Sequence, residues 1–173
     1  MNKSEIKKGL QASFKEIGQW LRNHDDFLFD EGPSGKWNTS QQLDHIYKST
    51  KAINKGMSFP KLLLRWKYGV ASRESRDWDA LKIKYKKTLN NLPEDFKQPV
   101  SPKSYGQALK GERILKFEQI GEEHIRLLEK FSDKQLDRFI LPHPAIGKCT
   151  FREFFMWTII HNDHHFSFLQ KDY

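Results

Sequence analysis

Apolar positions along this chain recur at steps of three and four, the period of helices packed on one side. Ile6, Leu10, Phe14, Ile17 and Leu21 predict a helix over residues 4–23, with Asn2 or Ser4 as its cap. Leu43, Ile46, Tyr47, Thr50 and Ile53 predict a second, running to about residue 55. Asn38 or Thr39 opens it. Thr39 with Gln42 three later reads as a capping box, Trp37 as a hydrophobic staple onto the first turns, and Gly56 as the stop. Leu109, Ile114, Phe117, Ile120, Leu127 and Leu128 mark a third helix from a Ser104–Gln107 capping box to about residue 130. Ser132 with Gln135 caps a short turn through residue 138, and Thr150 with Glu153 launches the last helix, to about residue 171.

Residues 58–104 form an excursion between the second and third helices. A short helix begins beside Pro60 and ends near Gly69, and a basic helical segment over residues 77–91 stacks Trp78, Leu81, Tyr85 and Leu89. Residues 92–106, LPEDFKQPVSPKSYG, read as irregular, and residues 141–148, LPHPAIGK, as a loop held by two prolines. No strand-like alternation of any length is visible. The expected fold is therefore all-α: one domain over residues 1–173, a four-helix bundle whose excursion can cover the mouth of a site.

The last helix departs from the simple pattern. Phe154, Thr158, His161, His165 and Phe168 share a narrow sector, yet Phe155, Ile159 and Ile160 point elsewhere. A helix wetted on one side does not need apolar residues all round, so this one is either central in the bundle or shared with a second subunit.

Composition narrows the classes. A single cysteine, Cys149, excludes an intrachain disulfide framework and fits a reducing, cytoplasmic setting. The start, MNKSEIKKGL, lacks the apolar segment of a signal peptide, and no apolar run approaches the roughly 20 residues of a membrane span. The net charge of +8 permits an anionic partner. The lysines are scattered, however, and no helix-turn-helix, zinc-finger or RNA-binding signature is present, so nucleic acid is not the expected partner.

The chemistry-bearing residues are histidines. His161 and His165, four apart, are separated by roughly 6 Å of rise and about 40° of turn, so both rings leave one face and can converge on a metal ion. His164 points about 60° away and is a weaker ligand. A third ligand must come from a neighbouring element, and His45, His124 and His143 are the candidates. His45 lies early in its helix and the pair late in theirs, so they meet only if those helices run antiparallel. The His24-Asp25-Asp26 run reads as a solvated helix end, His124 as a satisfied core histidine and His143 as a loop-locking hydrogen bonder. Cys149 reads as a packing residue, and Asp163, about 160° from His161, as solvent-facing.

Three stretches carry a resemblance: W-N-T-S-Q-Q-L-D-H (residues 37–45), L-P-H-P-A-I-G-K, and T-F-R-E-F-F followed by H-N-D-H-H. Together they resemble the DinB/YfiT-like superfamily, and more narrowly its DinB-like branch. The similarity spreads from the Trp37 region to the terminus and is weakest over residues 58–104. It implies an up-down-down-up four-helix bundle, a tendency to form homodimers, and a divalent metal held by His45, His161 and His165. The family includes thiol-dependent S-transferases using low-molecular-weight thiols, isomerases and hydrolases, so the resemblance fixes no single reaction.

Three neutral imidazoles leave the charge of a divalent ion uncompensated, which favours an acidified water or thiolate in an open position. Imidazoles suit Zn, Ni, Fe or Cu; zinc or nickel is the expected ion, with iron or manganese next. The expected function is a metal-dependent enzyme of thiol S-transferase or hydrolase type acting on a small molecule. The alternative is a non-catalytic metal-binding or stress-associated helical bundle.

Overall fold

The computed structural model describes residues 1–93 and 100–173. Its long helices are α1 (Lys3–Asn23), α2 (Thr39–Met57), α5 (Lys110–Glu129) and α7 (Phe151–Asp172). The excursion contributes α3 (Lys61–Tyr68) and α4 (Trp78–Asn90), and α6 (Asp133–Arg138) precedes α7. Residues 94–99 of the stretch read as irregular lie outside the described residues. No helix is long and apolar enough to cross a membrane.

The predicted apolar faces are the buried ones. Ile6, Leu10, Ile17 and Leu21 of α1 are essentially inaccessible, as are Leu43 and Ile46 of α2 and Phe117 of α5. Side-chain pairs give the helix directions. Lys7 pairs with Glu129 and Arg22 with Glu118, so α1 and α5 run antiparallel. Trp20 meets Phe166 and His24 meets Tyr173, so α1 and α7 run parallel. His45 lies against His161 and Gln42 against His165, so α2 and α7 run antiparallel, as a shared site requires. At Gly121 α1 and α5 are very close: an added Cβ would meet the Phe14 ring at 2.6 Å.

The fold is predominantly helical, as the all-α expectation has it, with one small departure. Residues 140–150 form an antiparallel hairpin, β1 (Ile140–His143) and β2 (Gly147–Thr150), with Ile140 opposite Thr150 and His143 opposite Gly147. Strands of four residues are too short to display a period of two, and the prolines read as loop. Gly147, at φ 78°, takes the left-handed conformation that closes such a short connection.

Two caps also sit elsewhere. Asn38, not Thr39, accepts from the Gln41 N–H, and the Gln41 side chain returns to the Asn38 N–H. The Ser104–Gln107 box does not form. The Ser104 hydroxyl accepts from Asn38 Nδ2 at 2.8 Å, and a 3₁₀ turn over Gln107–Leu109 leads into α5. The Asn2, Ser132 and Thr150 boxes are present.

From Phe151 to Asn162 every residue of α7 except Arg152 is buried. Contacts with α1, α2, α4, α6 and β2 cover it within one chain. Its all-round apolar character is thus explained by a central position and does not itself call for a second subunit.

Candidate metal centre

His45 stands in the second turn of α2, while His161 and His165 stand one turn apart on α7. Their Nε2 atoms face each other: His45 to His161 is 3.2 Å, and His165 to His161 is 3.1 Å. One ligand atom from each of the three lies within 4.8 Å of the others, and all three residues are buried. Tetrahedral zinc, with Zn–N near 2.0–2.1 Å, sets neighbouring nitrogens about 3.3 Å apart, so the spacing fits a shared ion.

The protons fit as well. His45 Nδ1 is 2.9 Å from the Val100 carbonyl, which only accepts, so that nitrogen carries the proton and Nε2 keeps its lone pair. His165 Nδ1 donates to Gln42 Oε1 at 2.6 Å with the same consequence. Two lone pairs are therefore aimed at His161 Nε2 in a buried space. Burial pushes all three pKa values down, those of His161 and His165 well below the ordinary range, so protonation is a costly way to satisfy the cluster. A shared cation satisfies it without a proton.

Trp37 lies parallel to the His165 ring at 6.1 Å and tilted against His45 at 5.1 Å. Trp157 stacks on His161 at 4.3 Å. The two indoles thus wall the cluster, and Trp37 covers His45 and His165 besides preceding the helix. In the sequence, Gln42 reads as part of a cap with Thr39. Moving the capping box one residue toward the N-terminus frees it to turn inward to His165.

A cavity of about 140 Å³ adjoins the cluster, lined by Tyr85, Leu89, Leu92, Val100, Pro144 and Trp157 beside the three histidines. The excursion therefore supplies one wall of the site. Its attachment involves Asp44, next to His45 in sequence, whose carboxylate accepts from the Lys103 N–H at 2.7 Å and pairs with Lys48. That fixes the chain just beyond Val100.

The other candidates fall into place. His124 is fully buried, with Nδ1 2.5 Å from Asn54 Oδ1 and Nε2 3.1 Å from Thr158 Oγ1, a satisfied core histidine whose pKa burial pushes down to about 3. His143 Nδ1 accepts from the Ala145 and Ile146 N–H groups and locks the hairpin turn; burial pushes its pKa down to about 4. Burial pushes the Cys149 thiol up to about 12, so it is not a ready thiolate. Asp163 is exposed, and His164 packs against Tyr85 and Phe168 outside the cluster. His24 stacks on Trp20, while Asp26 pairs with Lys110.

Sequence reasoning missed Val100, Gln42 and Trp37 as supports of the clustered histidines. Only the placement of Gln42 one turn before His45, facing a histidine helix, carried a signal. No curated protein matches the chain. A family model described as the DinB superfamily matches residues 10–169. With that match across nearly its whole length, and three histidines gathered where two of its helices cross, the chain belongs to the DinB superfamily.

Proposed function

We propose that this protein is a metal-dependent enzyme acting on a small molecule, with His45, His161 and His165 as the ligands of a divalent ion, zinc or nickel foremost. The reaction is of hydrolase or thiol-transferase type. The observation that carries the reading is the convergence of three buried Nε2 atoms, two of them with their protons fixed on the far nitrogen, beside a cavity. The parallel and antiparallel pairings of α1, α2, α5 and α7 support an up-down-down-up bundle as the scaffold.

A divalent ion at this position supplies Lewis acidity and lowers the pKa of a bound water or thiol. The chain's own residues do the rest. Val100 and Gln42 hold two rings in the ligating tautomer. Trp37 and Trp157 exclude water from the ligand side. Tyr85, Leu89 and Leu92 offer an apolar surface on which a small substrate is desolvated. A purely structural ion needs no adjoining cavity, and for that reason the catalytic reading is preferred to a non-catalytic metal-binding bundle.

Elemental analysis of the native protein beside a His161→Ala variant is the test. The native chain should carry about one ion per cluster and the variant close to none, because two imidazoles remain where a catalytic site needs three protein ligands. Equal metal in the two proteins would sink the proposal. A screen of reconstituted protein with thiols and small electrophiles then reads turnover.

A further inference from the structure

The excursion carries an apolar stripe on its outside. α3 sets Leu62, Leu63 and Trp66 within about 100° of one another around its axis. Leu62 is 82% exposed and Trp66 83%; Leu63, and Phe59 just before the helix, are exposed as well. Leu64, on the opposite side, is the residue that α3 buries. The helix is seated with the stripe outward. The Lys61 ammonium lies 5.6 Å from the centre of the Phe131 ring, and beyond the other end the Ala71 N–H donates to the Arg138 carbonyl at 2.9 Å. Single apolar residues scattered over a surface need no explanation, but a contiguous group does.

The charge around the stripe has one sign. Residues 45–72 contain no Asp or Glu. Arg65 and Lys67 flank the stripe on its two sides, and Lys51 and Lys55 precede it on α2; all four are exposed. Of the acids on either side of Phe131 in sequence, Glu129 pairs with Lys7 and Asp133 with Arg152. Exposed Leu and Trp bordered by Arg and Lys have the composition of a helix lying in the headgroup layer of a membrane. There the apolar side chains enter the acyl boundary and the cations reach phosphates. A second copy of the chain fits less well, because it would set one cationic face on another with no acid between them. Leu62 and Trp66 line neither the cavity of about 140 Å³ beside the histidines nor the one of about 260 Å³ behind it. They stand out as a ridge, for which a protein partner would need a matching groove, whereas a bilayer takes any ridge. No helix here crosses a membrane, so the contact is one of lying on its surface.

We propose that α3 docks this protein on an anionic lipid bilayer. Leu62 and Trp66 enter the boundary between headgroups and acyl chains, and Arg65 and Lys67 rest on lipid phosphates. The docking is reversible and needs no metal.

The test is co-sedimentation of the full chain with vesicles of phosphatidylcholine alone and of phosphatidylcholine mixed with phosphatidylglycerol. The native chain should partition at least about tenfold more strongly onto the anionic vesicles. Leu62→Ser with Trp66→Ser, at two exposed positions that the core does not use, should lower that partition about tenfold. Arg65→Glu with Lys67→Glu should lower it at least about 25-fold, which is about fivefold for each cation lost. Lys8→Glu with Lys15→Glu makes the same change in net charge on α1 and should lower it less than about threefold. Brominated lipid should quench the native fluorescence, and Trp66→Phe should abolish the quenching. Equal losses from the two charge reversals, native partition of the Leu62–Trp66 variant, or no preference for anionic vesicles overturns the proposal. So does a native dimer that the Leu62–Trp66 variant turns into a monomer, which would assign the stripe to a second copy. Binding to polyglutamate without binding to vesicles also overturns it, in favour of an acidic protein.

Discussion

Gln42 and His165 show how a single side chain tunes the cluster. An uncharged amide oxygen at 2.6 Å fixes the His165 tautomer without adding charge to a buried site. Replacing Gln42 by Ala should weaken zinc binding about 10–100-fold while the fold stays intact, the usual effect of losing a ligand's hydrogen-bond partner. Competition with a chromophoric chelator measures it, and unchanged affinity would mean that the Gln42 contact does not orient the ring. His124 poses the opposite case, a histidine buried to stay neutral. Its folded pKa of about 3 lies below the ordinary 6.5. Between those values the unfolded chain binds a proton that the folded chain does not, so its contribution to stability falls as pH drops through that window and is flat above it. His124→Gln removes the titration. The native chain should therefore lose stability relative to the variant by about 1.4 kcal/mol per pH unit below 6.5, read from denaturant unfolding at several pH values. A difference independent of pH would refute the assignment.

At the scale of the elements, a buried charge joins the excursion to α7. Glu153 closes the α7 capping box and also accepts from Arg73 and Arg76 of the excursion at 2.6–3.1 Å. Burial alone would push its carboxyl up, but Arg73, with the backbone of Arg76 and Thr150, holds it below the usual range. Glu153→Gln leaves the two partly exposed guanidiniums without their counter-charge and should cost about 1–2 kcal/mol. Cleavage by trypsin at Arg73 and Arg76 should speed up, and native cleavage rates would argue that the segment is held by other contacts. The sequence showed Glu153 only as a capping residue, because a capping box is local and its arginine partners lie some eighty positions away. The same division runs through the whole reading. Helix faces and the His161–His165 pair were legible because a helix repeats within a few residues. The hairpin was not, since four-residue strands have no room for a period. Nor was the Val100 carbonyl, since backbone acceptors leave no mark on residue identity. Among His45, His124 and His143 only the resemblance singles out His45 as the third member, and the antiparallel pairing of α2 with α7 supplies the physical reason that it joins the pair.

At the scale of the whole molecule the two ends of the helices are secured differently. The end holding the start of α7 has a clamp of ordinary contacts: Glu153 with two arginines, Arg152 with Asp133 and Asp137, the hairpin, and Lys3 on the carbonyls of Glu129, the last residue of α5, and Phe131 just beyond it. The other end gathers the start of α2, the chain around Val100 and the later turns of α7 around three imidazoles whose lone pairs point at one another. In the proposed reading an ion binds the folded chain and not the unfolded one, so it adds stability by mass action, about 4 kcal/mol at a thousandfold excess over Kd. For a chain of this length that amounts to roughly 10 °C in Tm. The gain should be local in origin. Stripping the metal with a chelator should lower Tm and raise amide exchange over residues 37–47, 100–105 and 159–172, while residues 131–156 stay protected until global unfolding. Hydrogen exchange with and without zinc reads this directly. An unchanged Tm, or a loss of protection spread evenly over both ends, would mean that the three histidines are held in place by packing alone and that no ion is part of the native structure.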